Sequence, residues 1–244
     1  MFAAHVVVQF EIPRAQAFSA YTDRTLVNLP CKRVQLDECW GFIYCKQRTV
    51  PTAKAAPAGS GDIWTWVGLD ADTKLVVSYY VGGRDSEAAM MFIDDLAPRL
   101  ASRVQITSDG HRPYIEAIEG AFGGNVDYAM LVKVYREAPE GQRRYSPAVC
   151  TGAIGKRIER NPDARHVSTS FVERSNLSIR VGNRRMTRLT NAFSKKAKNH
   201  AHMMAIYFMH YNFVRIHQTL KVSPAMAAKV TPKLWEMSDM VKTL

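Results

Sequence analysis

The feature that most narrows the fold is the order of two hydrophobic patterns between residues 34 and 135. Three β-forming runs come first: VQLDECWGFIYCK (34–46), DIWTWVGLD (62–70) and TKLVVSYYVGG (73–83). Each is rich in β-branched and aromatic side chains and short enough to be a strand. The Pro- and Gly-rich KQRTVPTAKAAPAGSGD joins the first two, and the turn-prone Asp70-Ala71-Asp72 joins the second and third. Then the period changes. After Asp85, a candidate N-cap, SEAAMMFIDDLAPRLAS places Ala89, Phe92, Ile93 and Leu96 at helical spacing, with Pro98 as a stop. RVQITSD predicts a fourth strand running into Asp109-Gly110. PYIEAIEGAFGG predicts a helix from Pro113 to Gly123, and VDYAMLVKVY a fifth strand. The expectation is a mixed α/β fold: three antiparallel strands, then helix, strand, helix, strand, in a five-stranded sheet flanked by helices.

Residues 135–166 are polar and Pro/Gly-rich and are expected to be a loop insertion. Helical patterns follow over about 168–186 and about 194–216, with shorter ones from Pro224 and Pro232. The chain then divides into an N-terminal segment 1–27, a core 28–222 and a helical extension 223–244. At 244 residues and 47% hydrophobic content it can bury one sizeable core, which excludes bulk disorder. Cys31, Cys39, Cys45 and Cys150 show no zinc-site spacing and are expected to be reduced thiols. The first residues lack a basic leader and carry His5, Gln9 and Glu11, so no signal peptide is expected. No apolar run reaches the ~18 residues of a membrane span.

Charge is unevenly placed. The formal net charge is +11, and residues 132–222 hold 18 Lys+Arg against 5 Asp+Glu. A basic surplus confined to one part of a folded chain points to a polyanionic partner, nucleic acid above all, although a solvated basic face accounts for the charge equally well. From Ala164 to Trp235, 72 residues, Glu173 is the only acid.

Three carboxylates stand out by position. Asp37 lies inside the first predicted strand, where an unpaired charge is costly and calls for a cation, a donor or a metal. Glu38 beside it points to the opposite face of a regular strand. Asp109 ends the fourth strand, where α/β sheets present functional groups. Glu173 opens the basic helix. Each has a plainer account: an ion pair for Asp37, an Asp-Gly turn for Asp109, and for Glu173 service to a helix dipole behind the cap candidates Ser168, Thr169 and Ser170. Their combination says more. If strands one and four are neighbours, Asp37 and Asp109 converge, and a helix packed over that end brings Glu173 to them. Three close carboxylates repel, and a hard divalent cation is the natural remedy. Seven residues are almost two helical turns, so Arg180 shares the face of Glu173, and Arg184 returns nearly to it. Val172, Ile179 and Met186 form another stripe, expected to face the core. Trp64 and Trp66 share a strand face and read as core or interface and not as base-stacking residues. His200, His202 and His210 read as structural or phosphate-contacting, and His111 as a neighbour of the Asp109 site.

These ordered motifs resemble the DDE transposases of bacterial insertion sequences, in particular those of insertion element one and its relatives. The matching stretches are LDECWGFIYCK, TSDGHRPY, STSFVERSNLSIR and HYNFVRIHQTLKVSPAMAA, spanning roughly residues 28–240. The resemblance implies a ribonuclease-H-like, integrase-type core with Asp37, Asp109 and Glu173 as the catalytic and metal-binding triad. It implies Arg180, Arg184, Arg185, Arg188 and His217 as DNA contacts, and two divalent ions, Mg²⁺ or Mn²⁺, as cofactors. The implied chemistry nicks element-end DNA to free a 3′-hydroxyl and joins it to target DNA without a covalent enzyme intermediate. Implied too are homo-oligomeric assembly on DNA and a bacterial cytoplasmic, nucleoid-associated location. Such enzymes usually carry N-terminal zinc-binding and helix-turn-helix regions. Residues 1–27 read as neither, so a truncated or alternatively started copy is expected. A non-transposing DNA-binding remnant and a plain nuclease on the same fold are the alternatives.

Overall fold

The computed structural model describes residues 16–136, 149–187 and 190–243. Its strands are β1 Arg33–Ile43, β2 Gly61–Asp70, β3 Val76–Gly82, β4 Val104–Asp109, β5 Val126–Arg136 and β6 Val149–Glu159, in one sheet ordered β3-β2-β1-β4-β5-β6. β2 runs antiparallel to β1 and to β3, in a register that sets Asp37 opposite Val67. β4 is parallel to β1 from Arg33↔Gln105 to Leu36↔Ser108, and β5 is parallel to β4. The first five strands make the expected mixed sheet, and the fold is ribonuclease-H-like.

The sixth strand is a correction. Residues 135–166, expected as a loop insertion, contain β6, which pairs antiparallel with β5. Residues 151–157 are exposed. An edge strand paired on one side and open on both faces needs no apolar alternation, so the pattern that reveals the other strands is missing here.

The described helices are α1 (16–25), α2 Ser86–Leu96, α3 Pro113–Phe122, α4 Ser170–Gly182, α5 Ala197–Met209, α6 Pro224–Ala227 and α7 Met237–Val241. Asp85 caps α2, accepting from Ala88 N at 2.9 Å. Three expected helices are shorter or displaced. The helix over 168–186 stops at Gly182; the Asn183 side chain accepts from Arg185 N, competing with the helix ladder, and Arg184–Met186 close as a 3₁₀ turn. The helix over 194–216 is α5 followed by a wider π turn, His210–Val214. There Asn212 makes a two-way bond to the open edge of β3, accepting from Val76 N at 3.0 Å and donating to Val76 O at 2.9 Å. No helix starts at Pro232; α7 starts after Glu236, which forms a capping box with Asp239.

Strand alternation splits the core into two layers. Val34, Leu36, Trp66, Val104 and Ile106 pack against α2, α3 and the C-terminal elements. Cys39, Val67, Leu69 and Val76 pack against α4 and α5 through Val172, Ile179, Met204 and Phe208. Met186 joins the second layer, so its expected stripe persists although the helix does not. Residues 1–15 lie outside the described part, whereas Phe18 and Leu26 belong to the core. Arg99 ties α1 to α2, donating to Asp23 and Asp95 at 2.7 Å. None of the four cysteines is in a disulfide. No described helix is long and apolar enough to cross a membrane.

Candidate active site

The site lies where β1 outruns β4. Their pairing ends at Leu36↔Ser108, so Asp37 and Asp109, one residue further on each parallel strand, sit where the strands part. α4 crosses the same end, held by β1 itself. The buried Gln35 accepts from Phe171 N at 2.9 Å and from Val172 N at 3.1 Å, taking two of the unpaired donors of the helix N-terminus. Thr169, at the N-cap, makes no side-chain cap bond. Asn176, one turn on, donates to Asp37 Oδ2 at 2.8 Å. This clamping brings Glu173 to the mouth of a cleft lined also by Asp37, Arg84, Asp109, His111 and Lys133.

Asp109 is oriented by its own turn, with Oδ1 accepting from His111 N at 3.0 Å. Glu173 accepts from Thr169 Oγ1 at 2.5 Å and pairs with Lys133 Nζ on β5 at 2.7 Å. Arg84, between β3 and α2, lies 3.3 Å from Glu38 Oε2 and 3.7 Å from Asp109 Oδ2. Its backbone is fixed on both sides, because Trp66 Nε1 donates to Gly83 O at 2.9 Å and Asp85 caps α2.

Glu38 changes the expected picture. Strand alternation does place it on the α3 side, next to Tyr114. Yet Asp37, Glu38 and Asp109 each offer a carboxylate oxygen, and the three lie within 4.8 Å of one another. Glu173 is not of that group. The Glu38 side chain is 2% exposed, and neither its Oε1 nor Tyr114 Oη makes a well-formed hydrogen bond, although each group perturbs the ionisation of the other. Burial, then the charge of Asp109, push Asp37 up to about 6, against a backbone donor and Asn176. Burial and Asp109 likewise push Glu38 up to about 7, despite Tyr114 and Arg84. Burial and Arg84 lower His111. Three crowded, partly desolvated carboxylates that offer hard oxygen donors fit a small divalent cation.

Similarity to known proteins is confined to structure. No sequence family and no curated protein matches the chain. It is similar to a chain in the cryo-EM structure of the simian T-cell lymphotropic virus intasome in complex with PP2A regulatory subunit B56 gamma, at 14% identity and a TM-score of 0.45, covering 86% of this chain and 58% of that one. It is also similar to piggyBac transposase in a synaptic complex with hairpin DNA, at 11% identity and a TM-score of 0.35, covering 87% and 51%. The chain thus spans little more than half the length of either.

The expected DNA contacts are scattered. Arg180 is partly buried and donates to Trp40 O at 2.9 Å, which leaves its other N–H groups to line a shallow depression with Val181, Gly182, Arg184 and Thr187. Arg184 is exposed, but it sits on the 3₁₀ turn and not on the Glu173 face of α4. Arg185 is partly buried and, after burial itself, is the charge that holds the structural His200 down at about 4. Arg188 lies outside the described residues. His217 is not brought to the cleft: it stands near Lys74 of the β2–β3 turn, its backbone bonded to Val222 and Lys221. Sequence reading missed Gln35, Arg84, Lys133 and Asn176. Gln35 and Lys133 carried a signal, a polar or charged residue inside an otherwise apolar strand run.

Proposed function

We propose that this chain is a transposase of the insertion element one type, cleaving and joining DNA strands with Asp37, Asp109 and Glu173. One observation carries the reading: three carboxylates from β1, β4 and α4, far apart in sequence, line one cleft where the parallel pairing of β1 with β4 ends. Asp37 and Asp109, with Glu38, are the residues that would hold the cation, and Glu173 would complete the site once Lys133 releases it. When bound, a divalent cation, Mg²⁺ or Mn²⁺, supplies Lewis-acid activation of the attacking oxygen and charge stabilisation of the leaving oxygen. The chain's own groups do the positioning. Asn176 fixes the Asp37 carboxylate, the Gly110 turn fixes Asp109, and Gln35 sets the depth of α4. Arg84 and Lys133 meet backbone phosphates at the cleft mouth, and Arg180 extends that track. DNA ends and target DNA are the proposed partners, a homo-oligomer on DNA the assembly, and the bacterial cytoplasm the location.

Purified protein incubated with Mg²⁺ or Mn²⁺ and the DNA flanking its own coding region should nick that DNA and then yield joined products, both abolished by Asp109→Ala. Absence of nicking, or nicking unaltered by Asp109→Ala, overturns the catalytic reading. Nicked products that are never joined assign a plain nuclease.

A further inference from the structure

The open edge of β1 continues past the cleft into a surface the chemistry above does not use. Beyond the end of β4, Tyr44 N donates to Ser194 O at 2.8 Å, and Ser194 bridges in parallel to Ile43. On the β1 face that carries Glu38, Trp40 and Phe42 follow by alternation, and Phe193 joins them from the crossing segment. The rings form a row. Trp40 and Phe42 centroids are 5.9 Å apart and tilted by 40°, and those of Phe42 and Phe193 are 5.3 Å apart and tilted by 38°. All three remain partly exposed, and Lys46 Nζ stands 5.7 Å from the Trp40 ring centre.

The charge around this row is mostly positive. Residues 39–61 and 174–235 contain no Asp or Glu, and the Ser194 bridge is where these two segments meet. Arg48, Lys195, Lys196 and Lys198 are exposed. Asp62, which lies directly opposite Phe42 across the β1–β2 pairing, is engaged by the chain itself, accepting from Gln47 N at 3.0 Å. Aromatic faces set among cations are how proteins hold single strands without reading sequence, because every base has a π-face and the backbone follows the positive charge. Bases inside a duplex are stacked on each other and offer edges instead.

We propose that the Trp40–Phe42–Phe193 row is a stacking shelf for unpaired nucleotides of a DNA strand. Trp40 is two residues beyond Glu38 on the same face, about 7 Å at 3.3 Å per residue, and so about two base steps of 3.4 Å. The claim that the stacked bases flank the reacting phosphate rests on the transposase reading; the claim that the shelf binds single strands does not.

The test is binding without metal. In EDTA, fluorescence anisotropy with a labelled oligothymidine and with a blunt duplex of equal length compares wild type, Phe193→Ala, Phe193→Tyr and Trp40→Leu, each checked for cooperative melting. Phe193→Ala and Trp40→Leu should each weaken oligothymidine binding about fivefold or more, with duplex binding nearly unchanged and Phe193→Tyr close to wild type. Equal losses on both probes, or no loss on either, overturn the shelf. So does a Phe193→Ala variant that loses only concentration-dependent self-association, which would assign the row to contact between copies of the chain. Because no cation is present, a failure of nicking leaves this result standing, and the reverse also holds.

Discussion

Asp37→Asn should stabilise the metal-free protein while removing its activity, and its advantage should shrink as pH falls. Asp37 ionises at about 6 in the fold, against 3.8 without perturbation, because it is buried and faces Asp109. At 1.36 kcal/mol per unit, holding it charged costs about 3 kcal/mol. The sign follows from proton binding. A carboxyl with a raised folded pKa holds its proton more tightly in the fold than in the unfolded chain. Its stabilising contribution is therefore full below about 3.8 and lost as pH rises through about 6. At pH 8 nothing remains of it, and by pH 5 roughly half has returned. The Asn variant keeps the acceptor for Asn176 Nδ2 and sheds the charge. It should exceed wild type by up to about 3 kcal/mol at pH 8 and by roughly half that at pH 5, or about 6–12 °C and 3–6 °C in Tm for a chain of this size. His200, pushed down to about 4, pulls stability the other way on acidification. Only the difference between variant and wild type isolates Asp37. Scanning calorimetry of both proteins in EDTA at pH 5 and pH 8 measures it. A pH-independent difference, or an Asn variant less stable at pH 8, refutes the account of a crowded, cation-seeking carboxylate.

Two further perturbations probe the helix that brings Glu173. Gln35→Leu keeps the volume of the side chain but leaves Phe171 N and Val172 N without their acceptor; urea unfolding should show a loss of about 1–3 kcal/mol, and a loss below about 0.5 kcal/mol would show that α4 is seated by its apolar stripe alone. Arg180→Ala should weaken DNA binding irrespective of sequence and make the salt dependence shallower by about one unit of slope, whereas an unchanged slope would assign Arg180 to pinning Trp40 O.

What the sequence made legible follows from where burial leaves a pattern. Strands β1 to β4 pack on both faces, so their β-forming runs stand out, and Asp85 and Pro113 mark helix starts by side-chain chemistry that acts locally. The end of α4 and the start of α7 depend on a competition between Asn183 or Glu236 and the backbone, which leaves little trace in periodicity. β6 is exposed along most of its length and has no buried face to advertise it. HYNFVRIH reads as a site motif, yet its Asn212 is buried in the edge of β3 and Tyr211 Oη donates to Lys74 O at 3.2 Å. In this chain, then, much of that motif serves to hold the C-terminal helices on the sheet.

Glu38 shows why even a correct rule can miss a site. Alternation sends neighbouring side chains to opposite faces of a strand, and Asp37 and Glu38 obey it: one meets Asn176 of α4, the other Tyr114 of α3. The rule separates residues only as long as a sheet stands between the two faces. At Asp37 the sheet ends on one side, because β4 stops at Asp109, and an aspartate on that strand tip is reachable from above and below. Asp109 therefore faces both carboxylates, raises the pKa of each, and shares Arg84 with Glu38. The consequence is a carboxylate cluster assembled around a gap in the hydrogen-bonded ladder, open on the side on which β1 has lost its neighbour.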